Sequence, residues 1–190
     1  MELNREEIIK NVHTWRERIA DASARWGGCE ICGVTKTHGA ETINASYDAG
    51  IRIIGENRVQ ELLSKIDDLN PAFEIHLIGA LQTNKVKSVV GRVQMIQSVD
   101  RESLAREIDR RAAQLGITAN VLVEVGIAGE AQKSGVPEDD LLPLLRLCAE
   151  LEHLRVRGLM SVMPIADDPE DVRIYFRRMR AWFEIGRAHV

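Results

Sequence analysis

Short apolar runs of strand length alternate with helix-length amphipathic segments along most of the chain, and that alternation leaves few folds open. The runs lie at 31–35, 51–55, 74–78, 93–98, 119–125 and 154–159, and helical spacing appears at 40–49, 59–66, 82–90, 101–115, 137–151 and 169–183. Strands that are nearly continuous in apolar residues, with helices between them, indicate a parallel sheet covered by helices. The expected class is therefore α/β, either an open doubly wound sheet or a closed (β/α)8 TIM barrel. No GxGxxG or Walker A string follows any strand, which removes the usual dinucleotide and nucleotide readings. An N-terminal helix precedes the alternation: Ile8, Val12, Trp15, Ile19, Ala22 and Trp26 form one stripe, and Gly27-Gly28 is its expected stop. Asp100 is the expected N-cap of the 101–115 helix, Gly116 its left-handed terminator, and Asp168-Pro169 the start of the last helix. Pro143 is expected to bend or delay the helix that contains it.

In a barrel, reactive groups gather at the C-terminal ends of the strands. Polar residues recur there: Lys36 after the first run, Asn57 after the second, His76 in the third, Ser98 in the fourth, and Met160-Ser161 after the sixth. Lys36 directly follows Ile31-Cys32-Gly33-Val34-Thr35. If its neighbours are buried, desolvation favours the neutral amine, which can attack an aldehyde to give a Schiff base; if the strand has already ended, the ammonium reaches solvent. His76 is either a satisfied core residue or part of a pocket, and Asn57 either part of that pocket or a cap for the next helix.

The chain has 190 residues, 45% of them apolar and 28% charged, with a net charge of −4, so a basic field that would gather nucleic acid is absent and any anion site must be local. No apolar run is long enough to span a membrane, and Glu2, Arg5, Glu6 and Glu7 are unlike a secretory signal; the expected location is the cytoplasm. Three cysteines suit a reducing compartment. In a strand, Cys29 and Cys32 would point to opposite faces about 10 Å apart, too far for a disulfide, so both are expected to be packing residues. Arg173, Arg177, Arg178 and Arg180 are expected to form a solvated helix face.

Taken together the strings resemble the pyridoxal phosphate homeostasis protein family, small fold-type III relatives of alanine racemase. The matching residues are Val34-Thr35-Lys36-Thr37, Gly55-Glu56-Asn57-Arg58-Val59-Gln60-Glu61, and His76-Leu77-Ile78-Gly79 with Leu81-Gln82, Asn84 and Lys85. Ser98-Val99-Asp100, Glu130 with Lys133 and Gly135, and Gly158-Leu159-Met160 follow in order. The resemblance implies a TIM barrel of the alanine racemase N-terminal type in which Lys36 holds pyridoxal 5′-phosphate as a Schiff base, with Asn57 close by and His76, Ser98 and Met160 lining the barrel. It implies a carrier acting in cofactor homeostasis rather than an enzyme, with recipient pyridoxal-phosphate enzymes as partners and a monomer at full length. The alternatives are an amino-acid racemase or decarboxylase relative and a Schiff-base aldolase. The chain departs from the family pattern at Thr35 (usually Ser), Ala80 (usually His) and Gly126 (usually Asn).

The barrel needs eight strand–helix units, whereas six follow the N-terminal helix here. Residues 1–184 are thus expected to form one partial barrel domain with the last two units, and the phosphate cup they carry in the family, missing. Residues 185–190, which read like a translated sequencing adapter, are expected to be a non-native tail.

Overall fold

A computed structural model of the chain describes residues 4–24, 27–128 and 134–188. Trp26, Glu130, Lys133, His189 and Val190 lie outside the described residues. The chain divides into two compact units, Met1–Leu77 and Ile78–Val190.

The first unit runs α1 (Arg5–Ser23), β1 (Cys32–Val34), α2 (Ala40–Asp48), β2 (Ile53–Glu56), α3 (Val59–Lys65), a 3-10 turn (Ile66–Asp68) and β3 (Glu74–Leu77). The three strands pair in parallel and in chain order, with Cys32, Ile53 and Glu74 in one row and Val34, Gly55 and His76 in another. Because side chains alternate along a strand, these two rows share a face. Gly33, Ile54, Glu56, Ile75 and Leu77 take the opposite face, where Ile54, Leu62 of α3 and Leu77 are fully buried.

Asn4 and Glu7 form a reciprocal capping box that starts α1. The helix stops at Ser23 with Ala24 as its cap, short of the expected Gly27-Gly28. Ser23 Oγ donates back to the Ile19 carbonyl at 2.6 Å, one turn earlier. The expected stripe is only partly covered: Ile8 is buried, while Trp15 is 57% exposed.

The second unit runs from a 3-10 segment (Thr83–Ser88) through β4 (Met95–Val99), α4 (Glu102–Leu115), β5 (Ala119–Glu124), α5 (Glu138–Ala149) and β6 (Leu154–Met160) to α6 (Pro169–Gly186). β5 pairs in parallel with both β4 and β6. Leu104, Ala105, Ile108 and Ala112 bury one stripe of α4, which packs on β5 and β6. The 82–90 segment is a 3-10 helix rather than an α-helix. The 3-10 turns cover Thr83–Ser88, and Val86, Val89 and Val90 are buried there.

Asp100 does not cap α4. The N-cap is Arg101, without a side-chain cap bond, and Asp100 instead accepts from its guanidinium at 2.5 Å. Gly116 does close that helix in the left-handed region, at φ 65°. Asp168 caps α6 by accepting from the Glu170 amide at 2.8 Å, with Pro169 in the first turn. Pro143 sits inside α5 without delaying its start. The arginines of α6 face solvent but are tied to acids, with Arg173 on Glu170, Arg178 on Glu138 and Arg180 on Glu184. Residues 185 and 186 continue α6, and Gly186 is buried.

Candidate functional site

β1 ends at Val34, so Lys36 stands beyond the strand in the turn that leads to α2. Thr35 is buried and Lys36 is exposed. The solvent-reaching alternative is therefore the one this fold adopts. What distinguishes the turn is its anchorage. The Thr35 amide donates to the Gly55 carbonyl at 3.1 Å, and its hydroxyl donates to Glu56 Oε1. Lys65 Nζ, near the end of α3, donates to the carbonyls of Thr35 and His38, both at 3.1 Å. The Thr37 amide donates to Glu61 Oε1. Thr35, Thr37 and His38 are thus each tied to β2 or α3, while the side chain of the remaining residue, Lys36, points free of that cluster into solvent. An exposed primary amine on a held turn is suited to adding to a carbonyl carbon.

Asn57 follows β2 directly and is exposed, and it is not the cap of α3, whose N-cap is Arg58. Its amide is left for a role other than capping. His76 is buried on the face shared with Val34 and Gly55, and its Nε2 lies 2.9 Å from Oε1 of Glu74. Gly55, lying between Val34 and His76 in that row, contributes no side chain. Cys32 belongs to the next row down, where burial first and the charge of Glu74 second push its thiol up to about 11. It is therefore protonated at neutral pH. Cys29 precedes the strand rather than lying within it, so the two-face argument fails, yet both thiols are free. No group of three metal-binding side chains occurs among the described residues.

In the second unit, Ser98 and Met160 also occupy strand ends. Ile96 pairs with Val121 and Val99 with Val123, so β4 carries one extra residue between them and Ser98 sits in that bulge. Bulges re-aim side chains and recur beside functional sites. Ser98 Oγ is buried without a hydrogen-bond partner among the described residues. A buried hydroxyl left unsatisfied costs about 1–3 kcal/mol, which a polar ligand or water atom would recover. Met160 closes β6 beside Glu124 in register and is half-buried.

Residues 4–189 match the family described as alanine racemase, N-terminal domain. A pyridoxal phosphate homeostasis protein from Aquifex aeolicus is 45% identical over 169 residues, covering 86% of this chain and 74% of its own. The chain belongs to the pyridoxal phosphate homeostasis protein family. Solved structures agree with the fold. PipY of Synechococcus elongatus, determined with pyridoxal phosphate bound, superposes with a TM-score of 0.78 at 31% identity over 90% of this chain and 81% of its own. A protein of unknown function from Bifidobacterium adolescentis gives a TM-score of 0.86 at 35% identity, over 93% and 78% of the two chains. The α/β fold is that of the alanine racemase N-terminal domain.

Glu56 and Glu61 stand out in the sequence only as parts of a family string, and Lys65 not at all. The signals for them are nonetheless present. An acid ending the apolar run Ile53-Ile54-Gly55 needs a buried partner, and Glu61 and Lys65 stand four apart on a helix. Glu124, buried at the end of β5, is a further polar group that the strand-end pattern does not single out.

Proposed function

We propose that this chain binds pyridoxal 5′-phosphate as a Schiff base on Lys36 and acts in the homeostasis of that cofactor, holding it reversibly and passing it to recipient enzymes in the cytoplasm. The observation that carries this reading is the Lys36 amine, exposed on an anchored turn at the C-terminal end of β1. The names of the curated relatives and the cofactor bound in PipY support it. The residues fit the group: the amine is exposed, and Ser98 offers a buried hydroxyl without a partner among the described residues.

Bound pyridoxal phosphate would supply the aldehyde carbon. The Lys36 nitrogen would then form a C=N bond with that carbon, the aldehyde oxygen leaving as one water and the ammonium's surplus proton passing to solvent. Asn57 and His76 in the first unit, and Ser98 and Met160 in the second, are also assigned to cofactor binding. Asn57 offers an uncommitted amide. His76 is held by Glu74, and Met160 offers an apolar surface.

Incubation with pyridoxal phosphate, borohydride reduction and peptide mass analysis tests the assignment. The label is expected on the Lys36 peptide; label elsewhere with Lys36 unmodified overturns it. Trapping pyridoxal phosphate on Lys36 also excludes the aldolase alternative, in which that amine meets a sugar carbonyl. Sustained exchange of the α-proton or loss of the carboxylate from an added amino acid would replace the carrier with a racemase or decarboxylase relative.

A further inference from the structure

The turn that carries Lys36 rests on a buried charge cluster for which the proposed function has no use. Lys65 Nζ lies 2.8 Å from Glu56 Oε1 and 3.1 Å from Glu61 Oε1, in addition to the two turn carbonyls. The side chains of Lys65 and Glu56 are 8% and 0% exposed. Four acceptors therefore surround an ammonium with three N–H donors, and all of its neighbours are fixed on β2, α3 or the turn. Glu61 is the more open member, and the Thr37 amide first and Lys65 second hold its carboxyl below the usual carboxylate range.

Stability alone is a poor reason for such a cluster, because well-packed apolar residues commonly serve as well as a buried ion pair. What apolar residues cannot do is bind backbone, and here the cluster ends on the Thr35 carbonyl, the Thr37 amide and the His38 carbonyl. Thr37 adds a second observation. It is the one non-glycine residue at positive φ among the described residues, at 68°, and a β-branched residue there persists only when its surroundings hold it.

We propose that Glu56, Glu61 and Lys65 are positioning residues for the Lys36 amine. They lock the turn on both sides of Lys36, so the amine is presented in one place while the residue itself stays uncommitted. The inference rests on the reading that Lys36 binds the aldehyde. Loosening the latch lowers the fraction of chains in the competent turn, and apparent affinity falls by that fraction.

Glu61→Ala removes the acceptor of the Thr37 amide and leaves the buried Glu56–Lys65 pair intact. Glu61→Gln keeps a carbonyl oxygen for that amide. Affinity for pyridoxal phosphate is read from the imine absorbance, and amide exchange of Thr37 and His38 is read on the ligand-free full chain. Glu61→Ala is expected to bind about tenfold more weakly and to exchange faster at Thr37, with its thermal midpoint little changed and both effects largely restored in Glu61→Gln. Wild-type affinity and exchange in Glu61→Ala, or no restoration in Glu61→Gln, overturns the proposal. Failure of the proposed function is separate: the parent chain then carries no label on Lys36, and the exchange data still decide whether the latch holds the turn.

Discussion

At the scale of single residues, the site is organised around polar groups whose burial has to be offset. Glu56 is wholly buried and Lys65 nearly so; the ammonium and the Thr35 hydroxyl meet Glu56 Oε1, while its Oε2 is buried without a hydrogen-bond partner among the described residues. Glu124 is buried with less help. Desolvation raises its carboxyl, Asp100 raises it further, and the hydrogen bond from the Ser134 hydroxyl partly opposes both. An acid with a raised folded pKa contributes its full share of stability below the unfolded value of about 4.3 and loses it as pH rises through the folded value. Glu124→Gln keeps an acceptor for Ser134 and has no charge to bury. The variant is therefore expected to gain stability over the parent as pH rises from about 4 to about 8, measured as the difference in denaturant midpoints. A constant difference across that range would mean that Glu124 is not strained by carrying its charge in the fold. Lys36 shows the opposite economy: its own side chain is exposed, and the burial is borne by the groups that hold its turn.

At the scale of elements, strand ends and the turns that follow them do the positioning. Ser98 is buried at the bulge in β4, and the turn after β1 is bolted to α3. After β5 the chain is held by close backbone approach: the Gly126 amide donates to the Val136 carbonyl at 2.9 Å, and the Val136 amide to the Glu124 carbonyl at 2.7 Å. Gly135 stands between these bonds at φ 114°, and a Cβ there would lie 2.6 Å from the Gly126 nitrogen. Gly135→Ala is expected to destabilise the chain by about 1–3 kcal/mol, through both the strained backbone and the forced displacement. Denaturant unfolding measures it, and a loss below about 0.5 kcal/mol would show that the segment yields. In the sequence Gly135 is only one letter of a family string, since the contact that requires glycine involves a residue nine positions earlier. Helix limits are legible where a local cap sets them, as at Gly116 and Asp168. They are not legible at Asp100, whose carboxylate takes the neighbouring guanidinium, or at 82–90, where Thr83–Ser88 forms the tighter 3-10 helix.

At the scale of the whole molecule, the chain consists of two compact units, Met1–Leu77 and Ile78–Val190. No helix among the described residues is long and apolar enough to cross a membrane. A ligand that binds only the folded chain raises its stability by mass action, about 2.7 kcal/mol at a hundredfold excess over Kd. Pyridoxal phosphate is therefore expected to raise the thermal midpoint in a concentration-dependent way, and the shift should be lost in Lys36→Ala. An equal shift in both chains would place the cofactor elsewhere. The amino-acid sequence by itself determined the α/β class, the parallel order of strands and the identity of the candidate lysine, because these rest on local periodicity and on short strings read in order. Only the tertiary structure decided that Lys36 stands outside its strand, that Asn57 caps nothing, and that Glu56, Glu61 and Lys65 hold the turn between them. Those facts depend on which distant backbone groups a buried charge meets, and no spacing along the chain specifies that.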